Sequence, residues 1–166
     1  VVNGEETHFI YDINDRLIAE ANGNGQIQRQ YVYLGREPVA MQDAANDQWY
    51  FVHNDHLGTP KLVTDSAADV VWRGEAKAFG ETRESGALKF AFRFPGQVED
   101  GESGYFYNYF RDYDPTIGRY IQSDPIGLEG GINTYGYALQ NSIKYIDPDG
   151  HLAIVALPWW GWAALV

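Results

Sequence analysis

The sequence contains no cysteine, and this absence removes several kinds of site at once. Disulfide bonds, thiolate catalysis and zinc sites built on cysteine are all excluded. Positive charge is also scarce, because 12 Lys and Arg residues stand against 23 Asp and Glu residues, for a net charge of −11. A chain this acidic is expected to bind neither nucleic acid nor an anionic membrane surface.

No charged-then-apolar stretch typical of a signal peptide opens this sequence, and it contains no hydrophobic run of the length that crosses a membrane. It begins with Val1 rather than Met, so we expect a piece of a longer protein. Its apolar end, residues 153–166, includes Pro158 and is short for a membrane helix. We expect an interfacial or buried segment, or the start of a next domain that is cut short.

Aromatic residues and glycine are abundant, which favours strands and turns over helices. The chain holds 12 Tyr, 8 Phe and 5 Trp together with 18 Gly. Apolar residues alternate along five stretches separated by turn residues: 6–20, 26–35, 48–55, 87–97 and 105–115. The pattern predicts an all-β fold of consecutive hairpins, with a helical turn near residues 134–140. Such an array leaves an open end, so we expect an unpaired edge at the N-terminal side.

Two long stretches carry motifs of a known family. Residues 50–81 read YFVHNDHLGTPKLVTDSAADVVWRGEAKAFGE, and residues 94–150 run from FPGQ to DPDG. Both resemble the RHS repeat-associated core, and residues 9–20, FIYDINDRLIAE, resemble one YD repeat upstream of it. The chain is therefore identified as a member of the RHS/YD-repeat proteins, which include polymorphic toxins and the C component of toxin complexes.

The resemblance implies a mainly β fold in which antiparallel hairpins stack into a hollow shell that the core segment closes. We divide the chain accordingly into YD-repeat-like hairpins at 1–48, the core at 49–151 and the apolar tail at 152–166. In the family, the shell encloses a C-terminal toxin and releases it by self-cleavage. The implied partners are the upstream shell, the downstream cargo, and a secretion-system spike or an immunity protein. The implied location is bacterial: cytoplasmic before export, then secreted or attached to the cell surface.

Two Asp-Pro motifs carry the self-cleavage hypothesis. Asp124 begins DPIGL, Asp147 begins DPDGH, and eighteen residues lie between Leu128 and Asp147. The family's self-cleaving motif is D-P-x-G-L, eighteen residues, D-P-x-G-L, so the register is retained here. The departure is His151, which stands where the second motif of the family has Leu.

Cleavage is expected at Gly150, His151 or Leu152, and a cut between Ala138 and Gln140 is the alternative. Two carboxylates held close together cannot both ionise cheaply, so one stays protonated near neutral pH. The ionised carboxylate can activate water, and the protonated one can polarise the scissile carbonyl or protonate the leaving amine. The chain is then at most an intramolecular, single-turnover autoprotease of the aspartyl type.

The toxin-complex members imply a further set of site residues. In them an Arg-Asp pair precedes the block G-R-x-x-x-x-D-P, and Arg111 and Asp112 stand at the matching positions here. Asp112 is therefore a third candidate carboxylate, beside Asp124 and Asp147. Either Arg111 or Arg119 can hold a carboxylate ionised through a bidentate pair, and either can equally be structural.

Other interpretations of the same residues stay open. Asp-Pro-x-Gly is also an ordinary turn sequence, so the core can be a non-catalytic encapsulating or interaction module. A membrane-active toxin that works through the apolar tail is the third possibility. No metal or cofactor is predicted, because His53 and His56 fit a hairpin turn and the Gly-rich residues 127–131 fit a tight turn.

Overall fold

The computed structural model describes residues 6–156, and most of its regular structure is one antiparallel sheet. Eight strands follow one another in this sheet in chain order, so each strand pairs with the next. They are β1 (Thr7–Tyr11), β2 (Leu17–Asn22), β3 (Ile27–Leu34), β4 (Glu37–Asp43), β5 (Gln48–Asn54), β6 (Pro60–Thr64), β7 (Val70–Ala76) and β8 (Thr82–Gly86). The predicted mainly β fold of consecutive hairpins is confirmed.

Four of the hairpin turns share one geometry, which begins at an Asp or Asn residue: Asp12, Asn22, Asp55 and Asp65. In each turn, the side-chain Oδ1 accepts hydrogen bonds from the backbone N–H groups two and four residues later. The residue at the fourth position has a positive φ in every case: Asp15, Gly25, Gly58 and Ala68. Short polar runs between the apolar stretches are therefore sufficient to reverse the chain.

The core of this sheet lies between one of its faces and the segment that follows β8. Phe90 and Phe92 from that segment cover the sheet, and the Phe92 ring meets Tyr31 edge-on with 4.7 Å between ring centres. Alternate side chains of the strands supply the other half of the core, as amphipathic strands predict. These side chains are Leu17, Tyr31, Met41, Tyr50, Val52, Val63 and Trp72.

Residues 87–97 differ from the sequence prediction. Their alternation predicted a strand, but only an isolated bridge between Phe92 and Val98 forms in this segment. The aromatic side chains are nevertheless buried, because the segment packs across the face of the sheet instead of extending it. Buried Arg93 donates to the carbonyls of Phe90 and Phe92, which supplies hydrogen bonds that a neighbouring strand would otherwise provide.

Two smaller antiparallel sheets complete the described structure: β9 (Val98–Glu99), β10 (Phe106–Asn108), β11 (Arg111–Asp114) and β12 (Arg119–Tyr120) in one, β13 (Tyr145–Ile146) and β14 (Ile154–Val155) in the other. The predicted strand at residues 105–115 is in fact the β10–β11 hairpin, because Tyr109 takes a φ of 54° at the turn. A second core cluster fills this part of the molecule: Phe94, Phe106, Tyr113, Tyr120, Tyr137 and Ala138.

Helical structure within residues 6–156 is limited to two short 3-10 turns. Gly127–Gly130 is the tight turn predicted for the Gly-rich residues, and Ala138–Gln140 lies where a helical turn was predicted. Ala138, Leu139 and Gln140 all have φ between 50° and 60°. This left-handed conformation costs roughly 1–2 kcal/mol for each residue that carries a side chain. No helix in the described part of the chain is long and apolar enough to cross a membrane.

Within residues 6–156, β1 is the edge strand of the large sheet on the N-terminal side, where the sequence predicted an unpaired edge. In residues 6–156, β1 pairs only with β2, and it leaves Phe9 half exposed. The sheet continues without a break across residues 48 and 49, because β4 pairs with β5. The division of the chain into repeat, core and tail therefore stays a prediction. Residues 157–166, which hold most of the apolar tail, lie outside the described residues.

Candidate active site

Both Asp-Pro motifs form turns, and each turn uses one oxygen of its aspartate. Asp124 Oδ1 accepts a hydrogen bond of 3.0 Å from Ile126 N, just before the 3-10 turn. Asp147 follows β13, and its Oδ1 accepts a hydrogen bond of 3.0 Å from His151 N. The motifs are therefore turns locally, and each aspartate still has its Oδ2 available for another partner.

Arg111 joins the two motifs. Its Nη2 lies 3.0 Å from Asp124 Oδ2 and 2.9 Å from Asp147 Oδ2, so the two oxygens are no further apart than the sum of these distances. Arg111 belongs to β11 and is buried, and its guanidinium carbon lies 3.7 Å from the centre of the Tyr120 ring. A planar cation that stacks on an aromatic ring and bonds two carboxylates is held in one orientation.

Burial governs the charge of this cluster. The side chains of Asp124 and Asp147 are 6% and 2% exposed. Burial raises the pKa of Asp147 above its ordinary value, against the opposing effects of the Tyr120 hydroxyl and the Arg111 guanidinium. The two enclosed carboxylates share one cation, so the cluster carries one more negative than positive charge when both are ionised.

Tyr120 and Asn108 lie behind Asp147. The Tyr120 hydroxyl donates to Asp147 Oδ2 at 2.9 Å. Asn108 Nδ2 donates to the Tyr120 hydroxyl oxygen at 2.7 Å and to the Asp147 carbonyl at 2.8 Å. Sequence reasoning missed both residues. The signal for Asn108 is its position directly opposite Arg111 in the β10–β11 hairpin, and no comparable signal identifies Tyr120.

The peptide group between Gly150 and His151 contacts the same cluster at both of its ends. Arg111 Nε donates to the Gly150 carbonyl, and His151 N donates to Asp147 Oδ1. Gly150 has a φ of 77°, and a Cβ at this position would lie 2.5 Å from the Asn108 carbonyl oxygen. The backbone therefore approaches β10 at a distance that only glycine permits.

A pocket of about 240 Å³ opens beside the cluster. Arg111, Asp124 and Asp147 line it, together with Ala153 and the loop that follows DPIGL. Gly130 lies against the first motif, since a Cβ there would be 2.6 Å from Asp124 Oδ2. The pocket has room for several water molecules, so water can reach the two carboxylates.

Asp112 and Arg119 lie away from this cluster. Asp112 follows Arg111 in β11, so its side chain points to the opposite face, where it accepts a 2.7 Å hydrogen bond from Gln122 Nε2. Arg119 is exposed in β12 and stands opposite Asp114 in the β11–β12 pair. Within residues 6–156, neither side chain makes a hydrogen bond or ion pair with a motif aspartate. Their catalytic roles stay predictions.

The predicted cleavage region is only partly enclosed. Gly150 and His151 contact the cluster through their shared peptide, whereas Leu152 is 53% exposed. The alternative region, Ala138–Gln140, lines the pocket, whereas Gly150 and His151 do not. Both regions are therefore beside the carboxylates, and the peptide after Gly150 is the one bonded to Arg111 and Asp147.

The two turn histidines make ordinary hydrogen bonds. His53 Nε2 lies 3.0 Å from Thr64 Oγ1, and His56 Nε2 lies 3.3 Å from the Ile143 carbonyl. Across residues 6–156, no three His, Asp or Glu side chains are arranged to hold a metal ion.

Comparisons with known proteins agree with one another. A family model described as RHS protein matches residues 50–85. Double-stranded DNA deaminase toxin A of Burkholderia cenocepacia (strain H111) is 41% identical over 114 residues, 65% of this chain and 8% of that protein. The probable deoxyribonuclease RhsB of Dickeya dadantii (strain 3937) is 35% identical over 154 residues, 88% of this chain and 11% of that protein. The chain thus spans about a tenth of the length of these relatives.

A solved structure has a similar fold over most of the chain. The crystal structure of TcdB2-TccC3-Cdc42 superimposes with a TM-score of 0.66 and covers 87% of this chain and 9% of the matching chain. Sequence identity in this match is 21%, so the likeness is one of fold.

Proposed function

Because this chain belongs to the RHS proteins, we propose that it is the core segment of a longer RHS-repeat toxin and that it cuts its own backbone between Gly150 and His151. Asp124, Asp147 and Arg111 carry out the cut. The cut frees the downstream cargo from the shell that encloses it.

The wider setting is inferred from the relatives. One is named as a DNA deaminase toxin and another as a probable deoxyribonuclease, and each is more than eight times as long as this chain. We infer that the partners are the upstream shell of the same protein and a downstream toxic domain, with a secretion-system spike or an immunity protein in addition. The bacterium makes this protein in the cytoplasm and then exports it.

The observation that carries the cleavage proposal is the bonding of one peptide group to both parts of the ion-paired cluster. The Gly150 carbonyl accepts from Arg111 Nε, and the His151 N–H donates to Asp147 Oδ1. A cation at the carbonyl oxygen stabilises the charge that develops there when water adds to the carbon. A carboxyl group 3.0 Å from the nitrogen is within reach to protonate the departing amine.

Both carboxylates are bonded to Arg111 and line the pocket, but Asp147 contacts the His151 nitrogen, which Asp124 does not within residues 6–156. Asp124 is therefore assigned as the base that removes a proton from the attacking water. Asp147 is the acid, since burial raises its pKa and favours the protonated form. Water adds to the Gly150 carbonyl carbon, the bond to the His151 nitrogen breaks, and the Asp147 proton passes to that nitrogen. The products are a Gly150 carboxylic acid, which loses its proton to water at neutral pH, and a His151 amine.

Tethering supplies much of the rate. Substrate and catalytic groups belong to one folded chain, so no encounter is needed and the reacting groups are already aligned. The same tether limits the reaction to one turnover, because the bond is not remade.

A passive role for the cluster is the competing function, and one observation favours it. Each aspartate also caps its own turn, and Arg111 bonds both, so the cluster can hold the second motif against β11 without any chemistry. In that case the chain stays whole. The membrane-active alternative concerns a tail whose residues 157–166 lie outside the described part, and it stays a prediction.

The test is the intact mass of the full chain after expression and incubation between pH 5 and 8. We expect two fragments, one that ends at residue 150 and one that begins at residue 151. Asp124→Asn and Asp147→Asn keep the size and turn-capping oxygen of the side chain, and each should slow the cut by about 100-fold or more. A wild-type chain that remains whole throughout this range would leave only the passive role.

A third Asp-Pro turn provides the matched control. Asp114 precedes Pro115, and its Oδ1 caps the turn by accepting from Thr116 N at 2.9 Å. Asp114→Asn therefore makes the same chemical change in a similar turn outside the cluster. It should be cleaved at the wild-type rate, and equal slowing in Asp114→Asn and Asp124→Asn would point to a general folding defect.

A further inference from the structure

The hydrogen-bond chain behind Asp147 runs in one direction. Asn108 Nδ2 has only hydrogens to offer, so the Tyr120 hydroxyl oxygen must be the acceptor in their 2.7 Å contact. The single Tyr120 hydroxyl hydrogen is then directed to its other neighbour, Asp147 Oδ2, at 2.9 Å. Asn108 is itself held by its hydrogen bond to the Asp147 carbonyl, so this series of hydrogen bonds begins and ends at Asp147.

This direction makes the two oxygens of Asp147 unequal. Oδ2 receives two donors, the Tyr120 hydroxyl at 2.9 Å and Arg111 Nη2 at 2.9 Å. These two donors occupy both lone-pair positions of Oδ2, so a proton bound there would have to face one of their hydrogens. Oδ1 accepts one hydrogen bond, of 3.0 Å, from His151 N–H, which is shared with Asp149 Oδ1, so one lone-pair position of Oδ1 remains for a proton. When Asp147 is protonated, its proton therefore resides on the oxygen beside the scissile peptide.

We propose that Tyr120, held by Asn108, is a positioning residue that directs the proton of Asp147 onto Oδ1, from which it passes to the leaving nitrogen of His151. The inference rests on the proposed self-cleavage and adds a requirement to it. A carboxylic acid with its proton on the wrong oxygen must exchange it before each productive attempt. Tyr120 removes that step by hydrogen bonding, without touching the reacting atoms.

The hydroxyl must remain protonated to serve in this way. Burial raises the pKa of Tyr120 well above its ordinary value, and the nearby Asp147 carboxylate raises it further. Tyr120 is therefore a fixed donor throughout the range in which Asp147 titrates. The charged and titratable groups around Asp147 are Arg111 from β11, Asp124 from the first motif, Tyr120 from β12, Tyr137 from the second core cluster and Asp149 from its own turn.

Tyr120→Phe is the direct test, because it removes the hydroxyl and keeps the ring on which Arg111 stacks. The full chain is made by cell-free translation, samples are quenched in acid over time, and the cut fraction is read from intact mass at each pH. We expect the plateau rate to fall about tenfold, the size of one net hydrogen bond. The alkaline limb should move to higher pH, since the hydrogen bond from Tyr120 lowers the pKa of Asp147 and is now gone.

Tyr113→Phe is the matched control. Its hydroxyl donates to the Phe79 carbonyl at 2.7 Å, and its ring lies in the same buried cluster. It removes an equivalent buried hydroxyl without reaching Asp147, so the plateau and both limbs of the profile should match the wild type. A loss of packing alone would lower the folded fraction in both variants and leave the position of the alkaline limb unchanged.

A second substitution guards against misfolding of Tyr120→Phe. Replacement of Tyr120 by 3-fluorotyrosine keeps the hydroxyl and makes it a stronger donor, so the alkaline limb should move to lower pH. If the wild type is cut but neither substitution moves the limb or lowers the plateau, the role of Tyr120 is refuted and the self-cleavage proposal stands. If the wild type is not cut at all, the self-cleavage proposal itself fails.

Discussion

Arg111→Met tests whether Arg111 compensates a buried negative charge. We place it in a chain that carries Asp124→Asn, which keeps the backbone whole under the proposed mechanism. Asp147 is then the single acidic partner of Arg111, with its side chain 2% exposed. Methionine fills much of the same volume and stacks on Tyr120, but it carries no charge.

The size of the effect follows from proton linkage. Without Arg111, a buried Asp147 that is protonated has a lower free energy than one that is charged. The free energy needed to protonate it is therefore the upper limit of the stability lost through the uncompensated charge. The ordinary pKa of an aspartate is 3.8, and each pH unit above it costs about 1.4 kcal/mol. The pH-dependent penalty is therefore at most about 4 kcal/mol at pH 7 and falls to about 1 kcal/mol at pH 4.5.

The sign of this dependence is specific. A folded-state pKa raised above the unfolded value leaves stability intact at low pH and removes it as pH rises toward the folded pKa. Loss of the Arg111 bonds to the Gly150 and Thr134 carbonyls adds about 1 kcal/mol each at every pH. The two components can therefore be separated by pH alone.

Urea unfolding followed by tryptophan fluorescence at pH 4.5, 5.5 and 7 measures the difference in stability between the chain that retains Arg111 and the Arg111→Met chain. The gap should widen with pH. Arg119→Met in the same background is the control, since this exposed arginine should change stability by no more than about 0.5 kcal/mol. A gap that is constant between pH 4.5 and 7 would show that Arg111 does not compensate the Asp147 charge.

Two further substitutions test packing, one beside the second Asp-Pro motif and one in the core of the large sheet, both in the same Asp124→Asn background. Gly96→Ala should lower the free energy of unfolding by about 2–4 kcal/mol, because Gly96 has a φ of 85° and a Cβ there would overlap the Pro148 carbonyl. Gly101→Ala is the control: Gly101 has open space around it, so its stability in urea unfolding should be nearly unchanged. Phe92→Ala should lower the free energy of unfolding by about 3–5 kcal/mol in the same assay, because Phe92 is buried. Phe9→Ala, on the exposed edge strand, should lower it by less than about 1 kcal/mol. Equal losses would contradict the assignment of Phe92 to the core.

Local pattern was enough to predict the hairpins, because each one depends on residues close together in the chain. The turns at Asp12, Asn22, Asp55 and Asp65 are closed by their own side chains. Alternating apolar residues then determine which face of each strand is buried. The same pattern misled at residues 87–97, because a phenylalanine alternation does not say whether the segment joins the edge of a sheet or covers its face.

The motifs predicted the identity of the two central aspartates but not their partner. Arg111 and Arg119 were equal candidates by sequence, and one strand alternation separates them in the structure: Arg111 points into the second core and Arg119 points outward. The same alternation places the Asp112 side chain on the face of β11 opposite to Arg111. Which side chains of a strand are buried depends on which face of the hairpin the rest of the chain covers. The residues that cover it are distant in the sequence.

The sequence by itself determined the β-hairpin architecture, the family resemblance and the two Asp-Pro turns, since these rest on short-range chemistry. Only the tertiary structure decided that Arg111 lies between Asp124 and Asp147, that Tyr120 and Asn108 stand behind them, and that the Gly150 carbonyl reaches the same guanidinium. These contacts join residues 12 to 39 positions apart. Long-range contacts of this kind depend on how the sheets pack, and no local pattern encodes that packing.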